Sequence, residues 1–286
     1  MKAVNTVFVI GAGIMGHGIA QVFAEAGFHT YMRDLNEGLV EKGVAKIKKN
    51  LAKKVSKGMI SEDQVQETLA NLHPVTKLDQ LSQADLVIEA ATENIGLKEK
   101  IFKELSQYLQ EDAILATNTS SISITKLASF NIKPERFIGM HFFNPVPTMK
   151  IVEIIPGLTT SDDVLARTKE AVQKIGKEYV VAKDYPAFLL NRILLQLLNE
   201  AYYCYMEGKA TAEDIDKGMK LAMGHPMGPL ELSDFIGLDT LLSVFYVMHE
   251  GYGESKYFPC PVLTKLVEAG HYGVKSGKGF YDYADK

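Results

Sequence analysis

From Thr6 to Asp34 the chain reads TVFVIGAGIMGHGIAQVFAEAGFHTYMRD. A short β-branched run is followed by the glycine turn Gly11-Ala12-Gly13-Ile14-Met15-Gly16, a helical stretch through Ile19, Ala20, Val22 and Phe23, a second apolar run and a carboxylate. Few folds accept that order, because two strands joined by a helix must lie parallel in one sheet with a right-handed crossover. Each glycine has its own task. Gly11 permits the tight turn, Gly13 lets the backbone approach a pyrophosphate, and Gly16 lets helix and strand pack closely, while the helix N-terminus attracts an anion. Asp34 falls 21 residues after Gly13, at the end of the second strand, where it would accept hydrogen bonds from adenosine ribose hydroxyls. A carboxylate there repels a 2′-phosphate, so NAD(H) is expected over NADP(H), with Arg33 beside it as the one opposing charge. Residues Gly11 to Gly16 and Asp34 are the expected cofactor contacts.

The same alternation continues, with strands expected at Thr6–Ile10, His29–Arg33, Asp85–Glu89, Ala113–Thr117, Arg136–Met140, Lys150–Ile155 and Glu178–Val181. It predicts an α/β architecture, a Rossmann-like doubly wound, mostly parallel sheet, over residues 1–184, with a helical insertion near 40–70. Past Asp184-Tyr185-Pro186 the pattern becomes helical, Leu189–Met206 being the longest run, so residues 185–286 are expected to form a smaller all-α domain. Leu189, Leu190, Ile193, Leu194, Leu197 and Leu198 make a broad apolar stripe, and a homodimer through the helical domain is expected. The formal net charge of −4 argues against nucleic acid as a partner. No apolar run approaches the roughly 20 residues of a membrane span. Cys204 and Cys260 belong to no ligand cluster, and no secretory or Arg-rich leader is present, so a cytoplasmic protein without a metal is expected.

Further along, IGMHFFNPVPTMKIVEII places His141 at the end of one apolar run and Glu153 inside the next. A carboxylate among Ile151, Val152, Ile154 and Ile155 is costly unless a proton or positive charge lies beside it, and His141 is the obvious partner. Such a pair suits a general base or acid, whereas a structural histidine with a solvent-facing Glu is the plainer alternative. In an open parallel sheet ligands sit beyond the carboxyl ends of strands, where Glu93, Asn118, Ser120, His141 and Asn144 fall. Ser120 could hold a substrate oxygen or merely serve its turn. Asn191, amid Phe188, Leu189, Leu190 and Ile193, could cap, bridge helices or face a ligand. Lys42, Lys46, Lys49, Lys53 and Lys57 share one helical face, either a solvated surface or a seat for a phosphorylated substrate tail.

Together these stretches resemble the short-chain 3-hydroxyacyl-CoA dehydrogenases, and among them the bacterial 3-hydroxybutyryl-CoA dehydrogenases. The likeness rests on VFVIGAGIMGHGIAQ, VIEAATEN, ATNTSSISIT, IGMHFFNPVP with KIVEII, NRILLQLLNEA, HPMGPLELSDFIGLD and KSGKGFYDY, and runs through essentially the whole chain. It implies NAD-dependent interconversion of an (S)-3-hydroxyacyl-CoA and the 3-ketoacyl-CoA. By motif position it implies that His141 is the catalytic base, Glu153 its orienting partner, and Ser120 and Asn191 the residues that hold the substrate oxygen. Glu93, Lys98, Ser120, Asn144 and Lys275 correspond to contacts around the nicotinamide half of the cofactor, and Lys53 and Lys57 to the CoA-phosphate lysines. One position departs from the family: Ala187 replaces the usual glycine of the Pro-Gly-Phe segment before Asn191. Two rivals remain. The β-hydroxyacid dehydrogenases use a helical-domain lysine where this chain has Asn191 and Arg192, and a non-enzymatic relative would have no need to keep His141, Glu153, Ser120 and Asn191 together.

Overall fold

β-Branched and aliphatic runs too apolar for one exposed face must be covered on both sides, and a mostly parallel sheet clad in helices does this. The computed structural model describes residues 2–284, and the chain divides after Asp184 into two units. In the first, β1 (Thr6–Ile10), α1 (Ile14–Glu25), β2 (His29–Arg33), α2 (Glu37–Ser56), α3 (Glu62–Ala70) and β3 (Leu72–Val75) form one half of the sheet. The other half is β4 (Leu86–Glu89), α4 (Ile95–Leu105), β5 (Ile114–Thr117), α5 (Ile124–Ala128), β6 (Phe137–Phe142), β7 (Ile151–Pro156), α6 (Asp162–Lys174) and β8 (Glu178–Val181). Strand order is β3-β2-β1-β4-β5-β6-β7-β8, so the topology reverses between β1 and β4, the place where such sheets receive ligands. Within this sheet, among the described residues, only β6 and β7 pair antiparallel, because the eight residues 143–150 between them are too few for a crossover helix.

The doubly wound, mostly parallel sheet expected from the alternation is what forms, with two differences that matter. β3 was not expected: Leu72-His73-Pro74-Val75 carries no strand periodicity, and Pro74 is tolerated because β3 is an edge strand. The sixth strand begins at Phe137, not Arg136, and runs to Phe142, past the expected end at Met140. His141 therefore lies inside the sheet, not beyond it, because the antiparallel ladder with β7 extends pairing through Phe142↔Val152. The core is continuous through Val7, Val9, Ile19, Phe23, Ile88, Ile114, Met140 and Ile154.

The second unit contains α7 (Leu190–Met206), α8 (Ala212–Met223), α9 (Pro229–Ile236), α10 (Leu238–Tyr252) and α11 (Pro261–Glu268) around Leu198, Tyr202, Leu230, Phe245 and Leu263. Ala187 and Phe188 have left-handed φ of +61° and +53°, so α7 starts one residue later than its apolar pattern. Its core-facing residues are Leu195, Leu198 and Tyr202, whereas Ile193 is 60% exposed; the expected apolar stripe is thus split between two faces. Two buried carboxylates organise the rest. Asp216 accepts from the Leu230 and Glu231 amides at the start of α9, at 2.8 and 2.9 Å. Asp234 accepts from the Phe280 and Tyr281 amides, both at 2.9 Å, and so fastens the C-terminal segment to α9.

Candidate active site

The glycine turn separates what the fold needs from what a ligand needs. Gly11 has φ of +106°, and a Cβ there would stand 2.7 Å from the Ala90 carbonyl oxygen; a Cβ on Gly16 would stand 1.8 Å from that of Gly11. At Gly13 a Cβ would meet nothing within 4 Å. The chain itself therefore requires glycine at Gly11 and Gly16 but leaves open space at Gly13, as a close-approaching diphosphate demands. α1 opens at Gly13 with no side-chain cap and no acidic residue in its first turn, whereas α2, α3, α4 and α6 are capped by Asn36, Ser61, Asn94 and Ser161. Those amides suit an anion. Asp34 sits beside them: its Oδ2 accepts from the Ala12 amide and its Oδ1 from the Leu35 amide, both at 2.7 Å. Arg33 donates from Nε to the Thr76 carbonyl at 3.2 Å. The arrangement fits a dinucleotide whose diphosphate lies over Gly13 and whose ribose meets Asp34.

Across the topological reversal, the carboxyl ends of β4 and β5 converge. Glu93 Oε1 accepts from both the amide and the hydroxyl of Ser120, at 2.7 and 2.9 Å, and its Oε2 accepts from Thr119 Oγ1 at 2.9 Å. Lys98, on α4, is buried, with its Nζ paired to Glu89 Oε2 and 3.8 Å from Glu93 Oε2. Thr117 Oγ1 donates to the same Glu89 oxygen at 2.8 Å. Glu89 and Thr117 were not among the expected site residues. The signal for Glu89 was present, since it follows Leu86, Val87 and Ile88 just as Glu153 sits among isoleucines.

His141 and Glu153 are direct partners in the β6–β7 ladder, which puts both side chains on one face of the sheet. Imidazole Nδ1 is 2.9 Å from Glu153 Oε2, with Glu153 wholly buried and His141 6% exposed. When Nδ1 donates to the carboxylate, the lone pair belongs to Nε2, the tautomer a general base needs. The ring also packs against Phe143, 4.4 Å between centroids. Asn118 has a structural duty here, its Oδ1 accepting from the Phe142 amide at 2.9 Å. Asn144, three residues beyond His141, is exposed in the loop that follows.

The remaining expected residues lie elsewhere. Lys53 is exposed on the last turn of α2 and Lys57 is its C-terminal cap residue, in line with exposed Lys42, Lys46 and Lys49. Lys54, off that line, instead pairs with Glu25 at 2.8 Å. Asn191 and Lys275 belong to the second unit. Asn191 is in the first turn of α7, and Lys275 Nζ lies 2.6 Å from Asp239 Oδ1. Burial pushes the Asp239 carboxyl up, but the Lys275 contact and nearby amides outweigh it and hold that group below the usual carboxylate range. Among the described residues no three His, Cys, Asp or Glu side chains are grouped to hold a metal ion, and no helix is long and apolar enough to cross a membrane.

A reversing parallel sheet with a ligand-ready glycine turn and a His–Glu pair on the same sheet defines a dinucleotide-dependent oxidoreductase. Comparison with known proteins makes the class particular. The family described as 3-hydroxyacyl-CoA dehydrogenase, NAD binding domain, matches residues 6–185, and its C-terminal domain matches residues 188–283. A 3-hydroxybutyryl-CoA dehydrogenase of Bradyrhizobium diazoefficiens is 52% identical over 280 residues, covering 98% of this chain and 96% of that protein. One from Clostridioides difficile is 44% identical over 275 residues, covering 96% of this chain and 98% of that protein. The crystal structure of (S)-3-hydroxybutyryl-CoA dehydrogenase PaaH1 from Ralstonia eutropha superposes with a TM-score of 0.96 at 45% identity, covering 98% of this chain and 99% of that one. This chain belongs to the 3-hydroxyacyl-CoA dehydrogenase family and is an oxidoreductase.

Proposed function

We propose that the chain interconverts (S)-3-hydroxybutyryl-CoA and acetoacetyl-CoA with NAD(H), using His141 as general base and acid and Glu153 as its orienting partner. The observation that carries this reading is the 2.9 Å contact between His141 Nδ1 and the buried Glu153 carboxylate. Bound NAD supplies the acceptor for the hydride that leaves C3. In oxidation, Nε2 of His141 takes the proton of the 3-hydroxyl, and the Glu153 carboxylate stabilises the imidazolium that results. Ser120 and Asn191 hold the substrate oxygen, the positioning contribution to rate. In reduction the imidazolium returns its proton to the developing alkoxide. A base of this kind contributes on the order of 10²- to 10⁴-fold.

Preference for NAD(H) is supported by Asp34, whose carboxylate is anchored by two backbone amides next to the glycine turn. Two further acceptor sites remain on it for ribose hydroxyls, and its charge opposes a 2′-phosphate. The lysine face of α2, with Lys53 and Lys57 at its end, suits the phosphates of CoA. Glu93, Lys98, Ser120, Asn144 and Lys275 serve the nicotinamide half. A homodimer through the helical unit is supported by the exposed apolar side chains Ile193, Leu221, Met223 and Phe235. A sedimenting monomer at micromolar concentration would count against it. Cytoplasmic turnover in fatty-acid or butyrate metabolism accords with the reaction and with two free thiols.

The test is NADH absorbance on mixing with acetoacetyl-CoA, and again with NADPH. The reading expects fast loss with NADH and slow loss with NADPH. Loss of NADH with free keto acids but not with acetoacetyl-CoA would point instead to the β-hydroxyacid dehydrogenases.

A further inference from the structure

Glu89 closes β4 with a carboxylate that is wholly buried, and the reaction proposed above gives it no task. Its Oε1 accepts from the Ala91 amide at 2.8 Å, and its Oε2 takes Thr117 Oγ1 and the Lys98 ammonium together. A buried ion pair is a poor way to gain stability, since desolvation offsets most of the attraction and an apolar pair of similar volume would serve the fold as well. What it supplies is an ammonium fixed in one place. That matters because a second carboxylate competes for Lys98: Glu93 Oε2 stands 3.8 Å from Nζ, while Glu93 Oε1 is the acceptor for the Ser120 amide and hydroxyl. Without the charge of Glu89, the ammonium would draw Glu93 inward, and Glu93 would exchange its contacts with Ser120 for a direct ion pair.

The geometry points to Glu89 as a positioning residue that retains the Lys98 ammonium and so leaves Glu93 to orient Ser120. The consequence is chemical. With its hydroxyl proton committed to Glu93, the Ser120 oxygen acts toward any other partner, a substrate hydroxyl or a carboxamide N–H among them, as an acceptor. This inference rests on the proposed dehydrogenase reading only for its effect on rate; the rearrangement itself is a property of the chain.

Both levels can be tested. In a crystal structure of Glu89→Gln, the Glu93 carboxylate is expected on Lys98 and away from Ser120; unchanged Glu93–Ser120 contacts would overturn the proposal whatever the activity. In kinetics, Glu89→Gln is expected to lower kcat about tenfold while the KM for acetoacetyl-CoA stays within about twofold. In a Ser120→Ala background, the effect of Glu89→Gln on kcat should shrink to under about twofold, because the chain of contacts ends at that hydroxyl. An undiminished effect there, or a wild-type kcat in Glu89→Gln, would refute it. Should the single variant fail to fold, Glu89→Gln with Lys98→Met removes both charges and is expected to fold with the Glu93–Ser120 contacts retained, since no ammonium is left to draw Glu93 inward. Glu93 turned away from Ser120 in a crystal structure of that double variant would refute the proposal equally. A wild-type protein without turnover of any acyl-CoA would overturn the parent reading, with the crystallographic comparison still deciding this one.

Discussion

Replacing Glu153 by Gln removes one charge from a site that has no room to rearrange. Glu153 is wholly buried between Val152 and Ile154, its oxygen 2.9 Å from His141 Nδ1, and the two residues are locked in register across β6 and β7. A hydrogen bond to a charged partner is worth about 1.5–3 kcal/mol, and that amount is felt when the imidazole becomes imidazolium in the transition state. At about 1.4 kcal/mol per factor of ten, the electrostatic loss alone is roughly 10- to 150-fold in kcat. A second effect adds to it: the Gln amide can donate to Nδ1, which leaves the proton on Nε2 and the lone pair facing the wrong way. In a comparable catalytic triad the wrong tautomer lowers kcat by about 10⁴-fold. The expected loss is therefore on the order of 10²- to 10⁴-fold. The assay is kcat with saturating acetoacetyl-CoA and NADH, paired with NADH affinity by fluorescence, which should stay within about twofold of wild type. Near-full turnover in a folded Glu153→Gln protein would refute the dyad.

Three other outcomes follow from the geometry. Gly13→Ala is expected to fold with an unchanged melting temperature but to bind NADH at least about tenfold more weakly, since its Cβ meets no protein atom but would fill the diphosphate's place; Gly16→Ala, with its Cβ 1.8 Å from the Gly11 oxygen, should not fold stably. Equal melting temperatures for the two would contradict this. Ala187→Gly balances relief of about 1–2 kcal/mol of left-handed strain at φ of +61° against about 0.8 for a buried methylene and about 0.4–1 of unfolded-chain entropy. Urea unfolding should place it within about 1 kcal/mol of wild type, and a larger shift either way would refute the balance. For Asp85, burial pushes the carboxyl up, but Lys2 and the Asn5 and Thr6 amides outweigh it and hold it below its ordinary value of 3.8. Its contribution is therefore present above that value and is lost as pH falls through the lower, folded one. Asp85→Asn should lower stability by about 1–3 kcal/mol at neutral pH, with the gap to wild type narrowing only in acid; a gap constant down to strong acid would refute this.

Local signals in the chain read well. The glycine turn with Asp34 announced the nucleotide half, because its strand, turn, helix and carboxylate lie within a few dozen residues and each obeys its own steric rule. Glu153 was conspicuous as a carboxylate among isoleucines, and the ladder that seats it opposite His141 is set by a short loop. Other features were invisible because their cause is distant or topological. β3 is a strand only because β2 offers it an edge, and Pro74 hides it. Asp216 and Asp234 look like ordinary surface acids until the fold brings amides 14 and 46 residues away onto them. Glu89 is a mixed case: its place after Leu86, Val87 and Ile88 marks a carboxylate in apolar company, but only Lys98, nine residues on, reveals that it is buried and paired. Leu189, Leu190, Ile193, Leu194, Leu197 and Leu198 form one stripe by periodicity, yet packing buries Leu198 together with Leu195 from outside that stripe and leaves Ile193 in solvent.

The most direct test of the central claim is kcat of His141→Ala for NADH-dependent reduction of acetoacetyl-CoA, measured beside its NADH affinity. A loss on the order of 10²- to 10⁴-fold with NADH affinity unchanged is the predicted result. Turnover close to wild type in the folded variant would show that the proton moves through some other group and would contradict the account.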